Sequence, residues 1–351
     1  MVRRDQKGKR GKWLLITAMI IEEPTVKAIQ LSRFGGPDVL ETVEMPKPAA
    51  GRGEILVRVE SAGVNFFETL LRADRYAVTP QLPMIPGVEA VGIVEALGEA
   101  VTSPGIGTRV AAPLFAAGGA SGGYADYIKI AADWAIPVPE GVSAETATAL
   151  MVQGLSALHL IRRSQPKGKS VAVTAAAGGV GSLVVQLAKA AGASRVIALA
   201  GSAEKLALAR TLGADDGIDY TRPGWPSELR RITETAGADI VYDLIGGAIT
   251  PLCLEALAEG GELVFAALGR LDLHPEALRD MMVKNQSIKG FALLPLLTQK
   301  SIRTDLAYLF ELVLSGGLNV LPGKAFPLDR AAEAHWALES RQTTGKVVLI
   351  P

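Results

Sequence analysis

Cysteine is almost absent from this 351-residue chain, and Cys253 stands alone. A lone thiol forms no intrachain disulfide and builds no cysteine metal cluster. Histidine is nearly as scarce. His159, His274 and His335 are scattered, no two at a metal-ligand spacing, so each reads as structural or surface. Net charge is missing too, because 36 basic side chains meet 36 acidic ones. That balance removes the electrostatic case for nucleic acid or an anionic membrane as main partner. Small molecules become the default ligands. No membrane span is found either. The apolar run "WLLITAMII" at 13–21 is too short to cross a bilayer. A basic stretch precedes it, as in a signal peptide, yet Glu22, Glu23 and Pro24 follow with no small-residue cleavage site. Residues 1–25 therefore read as a disordered basic extension, and the protein as soluble and cytoplasmic.

What is present is ample apolar material. Hydrophobic residues make up 49% of the chain, enough for a large core, and the length favours two domains. From Val26 to about Ala132 the pattern is short and strand-like. "KAIQLS", "EILVRVESAGV", "EAVGIVEALG" and "TRVAAPL" are separated by Gly and Pro turn signals. From about Glu145 the period changes. "AETATALMVQGLSALHLIRR" reads as one helix. Strands and helices then alternate from "SVAVTAA" through "GELVFAAL", with "SIKGFALL" as a last strand. Such alternation implies crossover connections and a parallel sheet covered on both faces, and about six strands fit a doubly wound nucleotide-binding fold. After a helix near 303–314, the pieces "GKAFPL" and "TGKVVLIP" complete the first domain. The fold class is α/β, with the doubly wound unit inserted into a β-rich one and the ligand cleft between them.

The densest signal is "VTAAAGGVGSLVVQLAK", a strand turning tightly into a helix. Its frame Ala176-Ala177-Gly178-Gly179-Val180-Gly181 is a dinucleotide fingerprint whose first Gly has become Ala176. The helix start offers unpaired N–H groups to a pyrophosphate. The next strand, "RVIALAGSAEK", ends in Ala200-Gly201-Ser202 without the acidic residue that grips a ribose 2′-OH. With Lys205 close by, a 2′-phosphate, and so NADPH, is permitted.

These blocks carry a family resemblance. "AGVNFFETLLRADRY", "PMIPGVEAVGIVEALGEAV", "GGYADY", "AAAGGVGSLVVQLAKAAGA", "EKLALARTLGAD" and "TTGKVVLIP" occur in family order. The chain resembles the zinc-independent medium-chain dehydrogenases/reductases, among them the NADPH-dependent quinone oxidoreductases related to zeta-crystallin. The resemblance implies a GroES-like catalytic domain from 26–144 plus 303–351, and a Rossmann domain at 145–302. It implies that Gly201, Lys205 and Tyr220 hold the 2′-phosphate, and that Gly178, Gly179 and Val180 form the pyrophosphate turn. It puts Asn65, Gln153 and Ser156 near the nicotinamide and its ribose, Ala267 and Leu268 on the loop beside it, and Arg341 on the cofactor from the C-terminal segment. Tyr76 would line the substrate cleft, as packing or as proton donor. Leu70 and Leu244 stand where relatives often carry Tyr and Ser, and Glu68 where they often carry Asp. The resemblance also implies a homodimer joined through the edge strand "SIKGFALL".

The zinc alcohol dehydrogenases of the same superfamily carry His where Val88 stands before Glu89, so Glu89 reads as structural. A site without a metal needs an acceptor that already draws hydride. The expected reaction is NADPH-dependent reduction of a quinone or activated enone, with Tyr76 and Asn65 as catalytic candidates. An enoyl-thioester or alkenal reductase remains an alternative, as does a non-catalytic NADPH-binding protein.

Overall fold

A computed structural model describes residues 24–118, 121–234, 237–267 and 273–351. The expected N-terminal extension lies almost wholly outside the described residues. In chain order the strands and helices are β1 (Thr25–Leu31), β2 (Leu40–Pro46), β3 (Glu54–Val64), α1 (Phe66–Arg72), β4 (Ala90–Leu97), β5 (Arg109–Ala112), β6 (Tyr127–Ala131) and β7 (Ile136–Pro137). There follow α2 (Ala144–Ala149), a π-helical turn (Leu150–Gly154), α3 (Leu155–Ser164), β8 (Ser170–Val173), α4 (Gly179–Ala190), β9 (Arg195–Ala200), α5 (Ala203–Thr211), β10 (Asp216–Asp219) and α6 (Trp225–Ile232). The chain ends with β11 (Ala238–Asp243), α7 (Ile249–Ala256), β12 (Leu257–Phe265), α8 (Pro275–Val283), β13 (Ser287–Gly290), α9 (Gln299–Leu314), β14 (Ala325–Pro327), α10 (Ala331–Glu339) and β15 (Val347–Ile350).

The β-rich part is organised on β3, the longest strand. Its neighbours are β4, β6 and β15, and the sheet runs β14-β15-β3-β4-β5-β7. Ile55, Val57 and Val59 point one way from β3 and meet Val94, Ile128 and Leu349 in one core. Two helices interrupt this part. Neither α1 nor α10 is signalled by the sequence pattern. The α10 segment "AAEAHWALE" is rich in Ala, which packs closely but leaves little periodic contrast.

The second sheet has the order β10-β9-β8-β11-β12-β13, every neighbour parallel. Renumbered locally this is 3-2-1-4-5-6, the doubly wound Rossmann order. Alternation along the strands divides the apolar residues between two faces. Val171 and Val173 join the core under α3 and α4, while Ala172 joins the core under α6 and α7. The direction of winding reverses between β8 and β11, which opens a crevice at their carboxyl ends.

One expectation needs correction. The long helix is broken by the π turn at Leu150–Gly154. Ser143 caps its start by accepting the Thr146 N–H at 3.1 Å, and left-handed Gln165 ends it before Pro166. Helix α9 spans 303, where the return to the β domain is expected. Its buried residues Ile302, Leu306, Leu309 and Phe310 join a core shared by the parallel sheet and by Val91, Ala111 and Ile136 of the β part. Asp305 clips it to α3, accepting from Arg162 at 2.7 Å and meeting His159 at 2.8 Å. Replacing Leu306, which is fully buried, by Ala is expected to lower the unfolding free energy by about 3 kcal/mol. Denaturant unfolding measures this, and a loss below about 1 kcal/mol would contradict the packing of α9.

Candidate active site

The glycine turn follows β8 at the reversal point. Ala175 adopts a left-handed φ of 48°, so the tight turn falls there and not at Ala176, the residue read as replacing the first Gly. Gly178 is extended and precedes α4 without a side-chain cap. The first-turn N–H groups of α4, with the helix dipole behind them, face outward as an anion seat. Two glycines here have no room for a side chain. A Cβ on Gly181 would lie 2.2 Å from the Ala175 carbonyl oxygen, and one on Gly179 would lie 2.0 Å from Gln153 Oε1. Gly181 thus keeps α4 close to the turn, and Gly179 leaves space for the Gln153 amide.

At one end of the crevice β9 runs out into Gly201 and Ser202, and Ser202 caps α5 through the Lys205 N–H. The Lys205 ammonium donates to the Arg341 carbonyl at 2.7 Å. Burial lowers the Lys205 pKa, and the neighbouring Arg341 charge adds to that. The Tyr220 hydroxyl lies 3.5 Å from where a Gly201 Cβ would stand. Glu204 is exposed on the outer face of α5. Two cations and a phenol thus converge where no carboxylate intrudes.

At the other end, Gln153 and Ser156 come from the π turn and the start of α3. Gln153 Oε1 is buried and has no hydrogen-bond partner among the described residues, an acceptor waiting for a ligand donor. Asn65, Tyr76, Gln153, Ser156, Gly178, Gly179, Val180, Gly201, Lys205, Tyr220 and Arg341 all line one cavity of about 900 Å³. Ala266 lines it, whereas Ala267 beside it is not among the lining residues. Leu268 lies outside the described residues. Leu71 and Leu244 contribute to the wall, whereas Leu70 is not among the lining residues. Tyr76 stacks on Phe67 with ring centres 5.4 Å apart.

Beneath Asn65 lies a buried polar network that sequence reasoning missed. Lys346, 2% exposed, donates to Asn65 Oδ1 at 2.7 Å and pairs with the fully buried Glu89. Glu89 also accepts Asn65 Nδ2 at 2.9 Å and the Val152 N–H of the π turn at 2.8 Å. Gly63 leaves space for it, since a Cβ there would meet Glu89 Oε1 at 2.3 Å. Glu68 accepts the Asn65 N–H at 2.9 Å, Asn65 Nδ2 at 3.1 Å and the Gly87 N–H at 3.1 Å. Burial pushes Glu68 up to about 7, against the pull of those donors and of Lys346. Further in, Tyr124 Oη lies 3.1 Å from His335 Nε2, and Arg72 Nη1 lies 3.3 Å from His335 Nδ1. Arg72 is anchored by Glu339 at 2.7 Å. The C-terminal segment joins both ends of the site. Arg341 meets Lys205, and the Gly345 N–H donates to the Ala177 carbonyl at 3.1 Å beside the glycine turn.

A Rossmann crevice with a helix-end anion seat, facing a β domain across an apolar cleft, defines a dinucleotide-dependent oxidoreductase. Comparison with known proteins narrows the class. Residues 51–140 match the model of the alcohol dehydrogenase GroES-like domain, and 179–311 that of the zinc-binding dehydrogenase. A quinone oxidoreductase of Pseudomonas aeruginosa is 33% identical, over 93% of this chain and 99% of its own. One from Sus scrofa is 30% identical, over 95% of this chain and all of its own. The Escherichia coli quinone oxidoreductase complexed with NADPH superposes with a TM-score of 0.82 at 31% identity, covering 93% of this chain and 100% of that one. The Thermus thermophilus quinone oxidoreductase, solved with and without NADPH, gives 0.78 at 36% identity, with the same coverage. The chain belongs to the quinone oxidoreductase family of the medium-chain dehydrogenase/reductase superfamily.

The buried His335 predicts an acid-sensitive fold. Burial, aided by Arg72, lowers its pKa to about 3 from 6.5. Between those values the unfolded chain binds a proton that the folded protein refuses, so stability is lost as pH falls below about 6.5. Glu68 acts in the opposite sense between its ordinary value of 4.5 and about 7, because the folded state holds the extra proton. Comparison with His335→Gln isolates the first contribution. The slope of stability against pH between about 4 and 6 should be lower in the variant by about 1.4 kcal/mol per pH unit. Parallel curves would show that His335 does not titrate on unfolding.

Proposed function

We propose that the protein reduces quinones by hydride transfer from NADPH, without zinc. The observation that carries the cofactor is the group Lys205, Arg341 and Tyr220 around the carboxylate-free end of β9. The partnerless Gln153 Oε1 supports it at the other end, because a carboxamide N–H would satisfy it. Gly201 lets the 2′-phosphate approach its holders. The first turn of α4, from Gly178 to Val180, faces the pyrophosphate. Asn65, Gln153 and Ser156 bind the nicotinamide ribose and carboxamide, with Ala267 on the adjoining loop.

When bound, NADPH supplies a hydride. The chain's part is to position, dry and protonate. Phe67, Phe115, Leu244 and Phe291 form an apolar wall that excludes water and accepts a flat, uncharged ring. The Tyr76 hydroxyl can donate to the oxygen that gains negative charge as the ring takes hydride, and then pass its proton on. Zinc-free chemistry is supported by the single cysteine and by Val88 preceding Glu89. Among the described residues no three His, Cys, Asp or Glu side chains are grouped as metal ligands.

Purified protein should oxidise NADPH when given a quinone. Lys205→Ala should raise KM for NADPH about tenfold or more while leaving that for NADH within about twofold. No NADPH oxidation with any quinone or enone would overturn the reading. Turnover of a crotonyl thioester alone would move the substrate class to enoyl thioesters, and tight NADPH binding without turnover would favour a non-catalytic role.

We further propose a cytoplasmic homodimer. The terminal strand β13 has an unpaired edge, and Met282 and Val283 near it are 75% and 77% exposed. No described helix is long and apolar enough to cross a membrane. Light scattering at the monomer mass would contradict the dimer, and cell fractionation tests the location.

A further inference from the structure

The network behind Asn65 admits one direction of hydrogen bonding. Arginine only donates, so His335 Nδ1 must accept from Arg72. The His335 hydrogen then sits on Nε2 and is donated to the Tyr124 oxygen. The Tyr124 hydrogen must go elsewhere, and its other polar neighbour is the Glu68 carboxylate. Every group in this chain is buried, so none can turn to water. Glu68 has the Tyr124 hydroxyl as a polar neighbour and accepts two N–H groups of Asn65 and the Gly87 N–H. Those three N–H donors favour the ionised carboxylate against the burial that opposes it.

The same counting fixes Asn65. The Lys346 ammonium only donates, so it identifies the oxygen of the carboxamide. The two Nδ2 hydrogens are taken by Glu68 and Glu89. What Asn65 has left for the cavity is one lone pair on Oδ1. Asn65 can therefore only accept a hydrogen bond from a ligand, as from a ribose hydroxyl.

We propose that Glu68 is a positioning residue: its negative charge, held by the N–H groups of Asn65 and Gly87 beside the buried Tyr124 hydroxyl, holds Asn65 as an acceptor toward the nicotinamide ribose, and productive NADPH binding requires it ionised. This rests on the placement of Asn65 at the nicotinamide ribose proposed above. The charged and titratable groups around Glu68 are Lys346 and Glu89 on one side and Tyr124, His335 and Arg72 on the other. Burial works against the charge, and the hydrogen bonds from Asn65 and the Lys346 ammonium work for it. Removing the neighbouring Tyr124 hydroxyl, a polar group beside the buried carboxylate, should therefore make neutralisation easier.

The test compares full-length wild type, Tyr124→Phe and Glu68→Gln across pH. Two quantities are followed: NADPH affinity by cofactor fluorescence, and kcat/KM with a quinone. Wild type should lose affinity on the acid side of about pH 7. Tyr124→Phe should move that limb up by about one pH unit and recover to within about twofold at high pH. Glu68→Gln, which mimics the protonated acid, should bind weakly and lack the limb. An unmoved limb in Tyr124→Phe, an equal loss at every pH, or a limb persisting in Glu68→Gln would overturn the proposal. If Tyr124→Phe does not fold, the Glu68→Gln comparison decides alone. Affinity is read without turnover, so failure of quinone reduction is distinguishable from failure of this inference.

Discussion

The structure depends on one buried junction, the ammonium of Lys346 against Glu89 and Asn65. Glu89 immediately precedes β4, Asn65 joins β3 to α1, and Lys346 precedes β15. The Val152 N–H brings the π turn, and with it the first helix of the nucleotide half, onto the same carboxylate. A π turn shifts the backbone pairing within a helix, and such turns recur at functional sites. Burying charges of this kind is not in itself stabilising. Removing one partner, however, strands the other and costs about 3–5 kcal/mol. The junction is thus better understood as a device that specifies one geometry than as a source of stability.

The segment that carries Lys346 extends this geometry. Within a few residues the chain meets Lys205 through Arg341, touches the glycine turn through Gly345, and reaches Asn65 through Lys346. Both ends of an extended dinucleotide site are therefore referenced to a single stretch of backbone. Separation of the two sheets would break the contacts with Lys205 and Ala177 together, while Lys346 and Asn65 stay paired within the β part. The apolar cleft between them can admit a flat acceptor while the groups around the cofactor stay in register.

Much of this was legible in the sequence. The alternation after Glu145 marked a parallel sheet because its central strands, such as "SVAV" and "RVIALA", are largely apolar and helices separate them. Gly178 to Gly181 marked the turn because a close backbone approach leaves few alternatives to glycine. Gly201, Lys205 and Tyr220 came from the resemblance and converge in space. The rest was hidden for physical reasons. Lys346 looks like an ordinary surface charge until the fold buries it against Asn65 and Glu89, distant in sequence, and Glu68 until the fold closes over it. Arg72 and His335 are 263 positions apart, beyond any local pattern. The π turn has no signature in "LMVQG", since tertiary contacts select it.

The most direct measurement is a crystal structure of the protein with NADPH. The account predicts the 2′-phosphate between Lys205, Arg341 and Tyr220, the carboxamide on Gln153, and a ribose hydroxyl donating to Asn65 Oδ1. Lys346 should remain on Asn65 and Glu89. A cofactor bound away from these groups, or Lys346 released from Asn65 on binding, would contradict it.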